Sequence, residues 1–163
     1  MHEIVIIIAK YFIVIAFLIS LYVWLKLATP AKKQFILQAV VGGILALILA
    51  KFASKLFYNP RPFQVGNFTP YFYHAPGNGF PSDHTLLTSF LAVLVAQYSR
   101  KYGIALFLVA AAVGLARVVA GVHHLADIIG AMIIAAIGLY AALWLIQQYR
   151  KFTDHRGHLE SSL

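Results

Sequence analysis

Residues 4–25, IVIIIAKYFIVIAFLISLYVWL, decide what kind of chain this is. A helix that crosses a bilayer needs about 20 predominantly apolar residues. This run supplies them, interrupted only by Lys10 and Ser20. It is too long for a cleaved secretion signal, and no small-residue cleavage site follows it. The pattern then recurs. The polar turn Thr29-Pro30-Ala31-Lys32-Lys33 leads into a second apolar run, Phe35 to Phe57, in which Gly42-Gly43 suits close helix contact. Residues 58–81 break the pattern with Pro60, Pro62, Pro70, Pro76 and Pro81 and with Gly66, Gly77 and Gly79. Further apolar runs extend from Ser82 to about Tyr98, from Ile104 to about Val122 and from Leu125 to about Gln148. The expected fold is therefore all-α, a polytopic membrane helix bundle of about five transmembrane helices. A long extracytoplasmic loop joins helices 2 and 3. Residues 1–150 read as a single membrane-embedded domain and 151–163 as a polar, partly disordered cytoplasmic tail.

Composition agrees. Of 163 residues, 61% are hydrophobic and 11% charged, with a mean hydropathy of +0.81. A soluble domain carries roughly a quarter charged residues, so this chain has too little polar surface to coat a water-soluble globule. Cys is absent, which excludes disulfides, thiolate chemistry and cysteine-ligated zinc. The net charge of +8 does not point to nucleic acid, because the basic residues are scattered between apolar runs and form no patch. They follow membrane topology instead. Lys26, Lys32, Lys33, Arg100, Lys101, Arg150, Lys151 and Arg156 fall on one side, which the positive-inside rule assigns to the cytoplasm. The N-terminus, the 58–81 loop and the turn near residue 123 then share the outer side. Lys51, Lys55, Arg61 and Arg117 lie at the outer ends of their spans, where that rule predicts few.

Between Phe35 and Gln148 the only acidic residues are Asp83 and Asp127, each beside histidine. Charged residues within membrane segments are costly and usually functional. Three segments carry them to the same face. In Arg117-Val118-Val119-Ala120-Gly121-Val122-His123-His124-Leu125-Ala126-Asp127, a helical reading of 123–127 makes His123 and Asp127 i, i+4 neighbours. A carboxylate on one ring nitrogen orients an imidazole and makes the other nitrogen more nucleophilic. In Gly79-Phe80-Pro81-Ser82-Asp83-His84-Thr85, Ser82 is an N-cap, and the helix it opens offers free N–H groups to a phosphate. His84, in the first turn, can protonate a leaving oxygen. In Lys55-Leu56-Phe57-Tyr58-Asn59-Pro60-Arg61-Pro62, Arg61 presents a planar fork suited to phosphate oxygens, as does Arg117. Each segment alone has an ordinary reading: a buried structural His–Asp pair, a plain helix cap, a snorkelling cation. All three must hold together, on one face, for those readings to survive.

The order Arg-Pro, then Phe-Pro-Ser-x-His-Thr, then Arg-x5-His-x3-Asp resembles the type 2 phosphatidic acid phosphatase superfamily, and within it the bacterial undecaprenyl-diphosphatases and related lipid phosphatases. The resemblance covers residues of about 50 to 130. It implies that His123 is the nucleophile that forms a phosphohistidine, that Asp127 orients it, and that His84 is the general acid. It implies Arg61, Arg117 and Ser82 as phosphate ligands and no cofactor or metal. Three positions depart from the family pattern. Ser54 stands where the family has Lys, with Lys55 one residue late, about a 100° rotation on a helix; the long Lys55 stem compensates, which keeps it among the phosphate ligands. Asp83 replaces a Gly and must point away from the phosphate or pair with a cation. Ala116 replaces a Ser and removes a hydroxyl donor.

His124 faces about 100° from His123 on a helix, and His74 lies in the loop within reach of a headgroup. A metal held by His84, His123, His124 and Asp127 would be opposed by the cations around it. The loop aromatics Tyr58, Phe63, Phe68, Tyr71, Phe72, Tyr73 and Phe80 suit the membrane interface, as an aromatic belt or a partly inserted lid that guides a lipid chain. The expected partner is thus a lipid phosphate or diphosphate drawn from the bilayer, with undecaprenyl diphosphate first, and phosphatidylglycerol phosphate or the 1-phosphate of lipid A next. The expected location is the bacterial inner membrane with the site facing outward. Two other classes share the residues. Vanadium-dependent haloperoxidases resemble the motifs but are soluble. A non-catalytic lipid-phosphate binder or transporter would not need both His123 and His84.

Overall fold

The computed structural model describes the backbone of residues 2–160 and the side chains of residues 2–153; the end of the tail expected at 151–163 lies outside the described residues. Among the described residues the chain is helix and loop: α1 (His2–Lys26), α2 (Thr29–Leu56), the single turn α3 (Pro62–Val65), α4 (Asp83–Ala96), α5 (Arg100–Val119) and α6 (Leu125–Glu160). Four helices, His2–Lys26, Thr29–Leu56, Arg100–Val119 and Leu125–Thr153, are long and apolar enough to cross a membrane. The run expected as a third span from Ser82 to Tyr98 is the shorter α4, of 14 residues, which ends where Gln97, Tyr98 and Ser99 turn the chain into α5. The last helix differs in the opposite sense. It does not stop near Gln148, because Gln147, Gln148, Arg150 and Lys151 are good helix formers and no Pro or Gly intervenes before Gly157.

The bundle is built around α4, which packs against α1, α2, α5 and α6. Its Leu86, Phe90, Leu91, Leu94 and Val95 are buried against Phe35 and Ala46 of α2, Leu106 of α5 and Ile134, Ala135 and Leu139 of α6. Gly42 of α2 faces Phe90 and Leu139, the close contact its smallness suggested. The outer faces of the long helices keep large apolar side chains exposed, among them Ile4, Leu47, Leu108 and Ile133. A helix with such a face is solvated by lipid, and some of the polar groups inside are paired within the bundle. Buried Gln38 accepts the Tyr98 hydroxyl at 2.8 Å, and Ser20 returns its hydroxyl to the Ala16 carbonyl at 2.8 Å.

α2 ends at Leu56, where Phe57 turns extended and Asn59, preceding a proline, cannot re-enter a helix. The loop that follows is tied to the same end of the bundle as the start of α1 and the α5–α6 turn. The Tyr71 N–H donates to the Ala120 carbonyl at 3.1 Å, the His2 and Tyr71 rings stack at 4.0 Å, and Lys10 sits 4.6 Å over the Phe72 ring. Inside the loop the Asn78 amide is the hub: its Nδ2 donates to the Ser54 and Phe57 carbonyls, and its Oδ1 accepts the Asn59 and Phe80 N–H groups.

Candidate active site

His123 owes its position to two local devices. α5 ends in a left-handed closure at Gly121, whose φ of +76° is open to glycine at little steric cost. The Gly121 N–H returns to the Val118 carbonyl at 2.9 Å and the Val122 N–H to the Arg117 carbonyl at 3.2 Å, the Schellman pattern of helix ends. Two residues later α6 begins, and Asp127 in its first turn accepts the His124 N–H at 2.9 Å while giving its own N–H to the His124 carbonyl at 3.0 Å. Residues 123–127 are therefore not one helix, contrary to the helical reading of the sequence. His123 precedes α6, and reciprocal capping brings its Nδ1 to 3.2 Å from Asp127 Oδ2.

Two guanidinium groups converge on the other face of the ring. Arg61 Nη1 lies 3.2 Å and Arg117 Nη2 3.3 Å from His123 Nε2. A guanidinium can only donate. Nε2 must therefore carry the lone pair and Nδ1 the proton given to Asp127, the tautomer that leaves Nε2 nucleophilic. Burial holds His123 below its ordinary pKa; the Asp127 bond opposes that effect, and the charges of Arg117 and Arg61 reinforce it. Each arginine is fixed by a backbone carbonyl, Arg61 by Val122 at 3.1 Å and Arg117 by Ala9 of α1 at 3.2 Å. Each also keeps a buried Nε–H with no partner among the described residues. Buried donors are normally paired, and two cationic ones beside one unprotonated ring nitrogen suit an anion with several acceptor oxygens.

The N-terminus of α4 is drawn to the same place by the Ser82 N–H, which donates to the Asp127 carbonyl at 3.2 Å. Ser82 occupies the cap position, but its side chain does not cap. It is buried and accepts the Thr85 hydroxyl at 3.2 Å, so the first-turn N–H groups are not taken by the serine. His84 is half-buried and close enough to His123, Arg117 and His74 for their charges to act on it. Asp83 is exposed and lines a groove between α2 and α4. Lys55 is exposed on the last turn of α2 and makes no hydrogen bond among the described residues, so the structure does not bring it into the cluster. The register explains this: Ser54, one residue earlier, is the side chain that faces inward, where its Oγ accepts from Asn78 at 3.1 Å. His124 is turned aside, its Nε2 3.1 Å from the Pro60 carbonyl. Among the described residues no three of His, Cys, Asp and Glu gather as a metal-ligand set.

Two residues enter the cluster that sequence reasoning underrated. Asn59 Nδ2 donates to Asp127 Oδ1 at 2.6 Å. His74 accepts from Arg117 Nη2 at 3.2 Å, and its ring lies 6.0 Å from that of His123. Burial, with the charge of Arg61, lowers the His74 pKa. The signal for Asn59 was its place two residues before Arg61; for His74 it was only its place in the loop within reach of a headgroup. Gly79 is also set by the site, since a Cβ there would meet Asp127 Oδ2 at 2.8 Å.

This combination, a buried His–Asp pair and two arginines at one end of a membrane bundle, has counterparts. Residues 35–152 match the PAP2 superfamily model. The chain is 32% identical over 156 residues to the undecaprenyl-diphosphatase BcrC of Bacillus subtilis, covering 94% of this chain and 79% of that one. Its fold is similar to the crystal structure of Aquifex aeolicus LpxE, with a TM-score of 0.70 at 20% identity over 86% of each chain. A transmembrane PAP2-type phosphatidylglycerolphosphate phosphatase from Bacillus subtilis also matches, with a TM-score of 0.59 at 16% identity over 90% of this chain and 77% of the other. The chain belongs to the PAP2 superfamily. It is a multi-pass membrane protein and a lipid phosphatase.

Proposed function

We propose that the chain hydrolyses the terminal phosphate of a lipid phosphate or diphosphate through a phosphohistidine on His123, without a metal, with undecaprenyl diphosphate as the leading substrate. The observation that carries this reading is the lone pair of His123 Nε2 flanked by two guanidiniums whose buried Nε–H groups are unpartnered among the described residues. Such a pocket suits the spread negative charge of a transferring phosphoryl group. The arginines shift from Nε2 to the equatorial oxygens. Nε2 attacks phosphorus, a P–N bond forms, and the P–O bond to the lipid breaks. His84 gives its proton to the leaving oxygen, and Asp127 stabilises the imidazolium that forms. His84 then takes a proton from a water whose oxygen attacks phosphorus; the P–N bond breaks and inorganic phosphate leaves. Ser82 and the first-turn N–H groups of α4 add phosphate contacts.

The lipid character of the substrate is supported by the groove between α2 and α4, about 430 Å³, lined by Gly43, Leu47, Leu87 and Leu91 with Asp83 among its walls. Tyr58, Phe68 and Tyr73 are exposed on the loop beside the site, as an interfacial lid would be. A diphosphate is favoured because BcrC is an undecaprenyl-diphosphatase. Phosphatidylglycerol phosphate and the 1-phosphate of lipid A are the competing substrates.

We read five crossings in the bacterial inner membrane. α2 ends at the site and α5 starts away from it, so α4 must return the chain across the bundle; at about 1.5 Å per residue it is short for a bilayer, and burial of most of its length among four helices shields it from lipid. Lys26, Lys32, Lys33, Arg100, Lys101 and Arg150 lie at the end opposite the site, which supports a cytoplasmic assignment for that end and an outward-facing pocket. Labelling a cysteine introduced at Asn67 from outside intact cells tests the orientation.

The test of function is phosphate release in detergent, with a metal chelator present, from undecaprenyl diphosphate, phosphatidylglycerol phosphate and lipid A 1-phosphate. Release at an undiminished rate is expected, with diphosphate fastest and with H123A and H84A inactive while still binding lipid. Loss of activity on chelation overturns the metal-free mechanism. Variants that change nothing favour a lipid-phosphate binder or transporter over an enzyme.

A further inference from the structure

We propose that Asn59 is a positioning residue for the nucleophile, acting through Asp127; the inference rests on the reading of His123 as nucleophile given above. Asp127 Oδ2 is occupied by His123 Nδ1 and by the His124 N–H, both from the turn that precedes α6. Those two bonds leave the carboxylate free to rock about its last torsion. The Oδ1 bond from Asn59 Nδ2, at 2.6 Å, removes that freedom by gripping the other oxygen from a different segment.

Asn59 is itself anchored on both sides of its backbone. Its N–H donates to Asn78 Oδ1 at 2.9 Å, and its carbonyl accepts the Gly79 N–H at 2.7 Å. Asn78 in turn is pinned to the end of α2 through the Ser54 carbonyl at 2.8 Å and the Phe57 carbonyl at 3.0 Å. The end of α2, the lead into α4 and the start of α6 therefore meet at one carboxylate. The same short segment carries Arg61 two residues on, so the orientation of the His123 ring and the placement of one phosphate cation are set together. The chemistry requires an amide at 59. A carboxamide nitrogen donates, whereas a carboxylate of the same shape would face Asp127 with like charge.

N59D is nearly isosteric and keeps both backbone bonds. It is expected to lower kcat on the order of 100-fold, and N59A about 10- to 100-fold, the range for removing a hydrogen bond to a charged partner or misplacing a reacting group. KM is expected to stay within about threefold, because phosphate contacts are made elsewhere. In a D127A background N59A is expected to change kcat by less than about twofold, since the bond it removes is already gone. A multiplicative loss in that background, or wild-type kcat in N59D and N59A while H123A is dead, overturns the inference and leaves the site reading intact. If H123A itself retains full turnover, the site reading fails and Asn59 with it. Should N59D not fold, as judged by size exclusion and thermal melting, the N59A and N59S cycles with D127A decide the matter on the same criteria.

Discussion

The two ends of this bundle carry the same kinds of residue and treat them in opposite ways. At one end Arg100 and Lys101 are exposed, and Lys26 and Lys32 lie over the rings of Tyr22 and Trp24 at 5.7 and 5.4 Å. At the other, Arg117 is only 3% exposed, held by the Ala9 carbonyl and aimed at His123. An exposed cation at a membrane surface costs little and serves topology. A buried one is expensive unless something repays its desolvation. The difference teaches that burial and an unpartnered N–H among the described residues, rather than charge, separate the cations proposed to hold phosphate from those at the opposite end.

The strongest way to break this comparison is substitution in parallel. Arg117→Ala and Arg61→Ala are each expected to lower kcat/KM by about 10²- to 10³-fold, the range for removing a preorganised charge donor, while Arg100→Ala stays within about twofold, as exposed sites do. Equal effects at both ends, measured by phosphate release, would erase the distinction. Arg117→Lys sharpens it: a lysine keeps the charge but lacks the planar fork whose Nη1 and Nη2 reach Ala9 and His74 from separate nitrogens, so most of the loss should remain.

A pH profile probes the same end. As the proposed nucleophile His123 must be unprotonated, and burial holds its pKa below the usual value. The acid limb of kcat/KM should therefore lie below the ordinary histidine pKa of about 6.5, with activity falling as pH drops through it. A limb above that value contradicts the buried, arginine-flanked imidazole. A smaller effect is expected from Gly43→Leu, which fills part of the groove between α2 and α4; KM for long-chain lipid phosphates should rise several-fold, about the worth of one or two apolar contacts, with kcat unchanged. The smallest belongs to Lys55→Ala. Lys55 is exposed, and its loss should change activity by less than about threefold.

Much of this was legible in the sequence. Apolar runs longer than a bilayer is thick leave few alternatives to membrane helices, because backbone groups in lipid must be paired within their own segment. The acidic residues were so sparse that Asp83 and Asp127 marked their neighbourhoods by themselves. Lys55 could not be placed, because a register shift of one residue in α2 decides which side chain faces inward, and only packing sets that register. His74 could be read only as a loop histidine within reach of a headgroup, since its contact with Arg117 depends on tertiary packing. Asn59 was hidden for the same reason: its partner, Asp127, lies 68 positions away.

The sequence by itself determined that the chain is a membrane bundle, and it singled out two imidazoles, two guanidiniums and one carboxylate on one face as the candidate chemistry. These follow from hydrophobicity and the cost of burying charge, which are properties of residues in order. Only the tertiary structure decided that His123 stands before a helix rather than on one, that its Nε2 is the unprotonated nitrogen, and that α1 and the loop complete the pocket. Those depend on which donors and acceptors meet across distant segments, and hydrogen bonds have directions that a linear spacing cannot express.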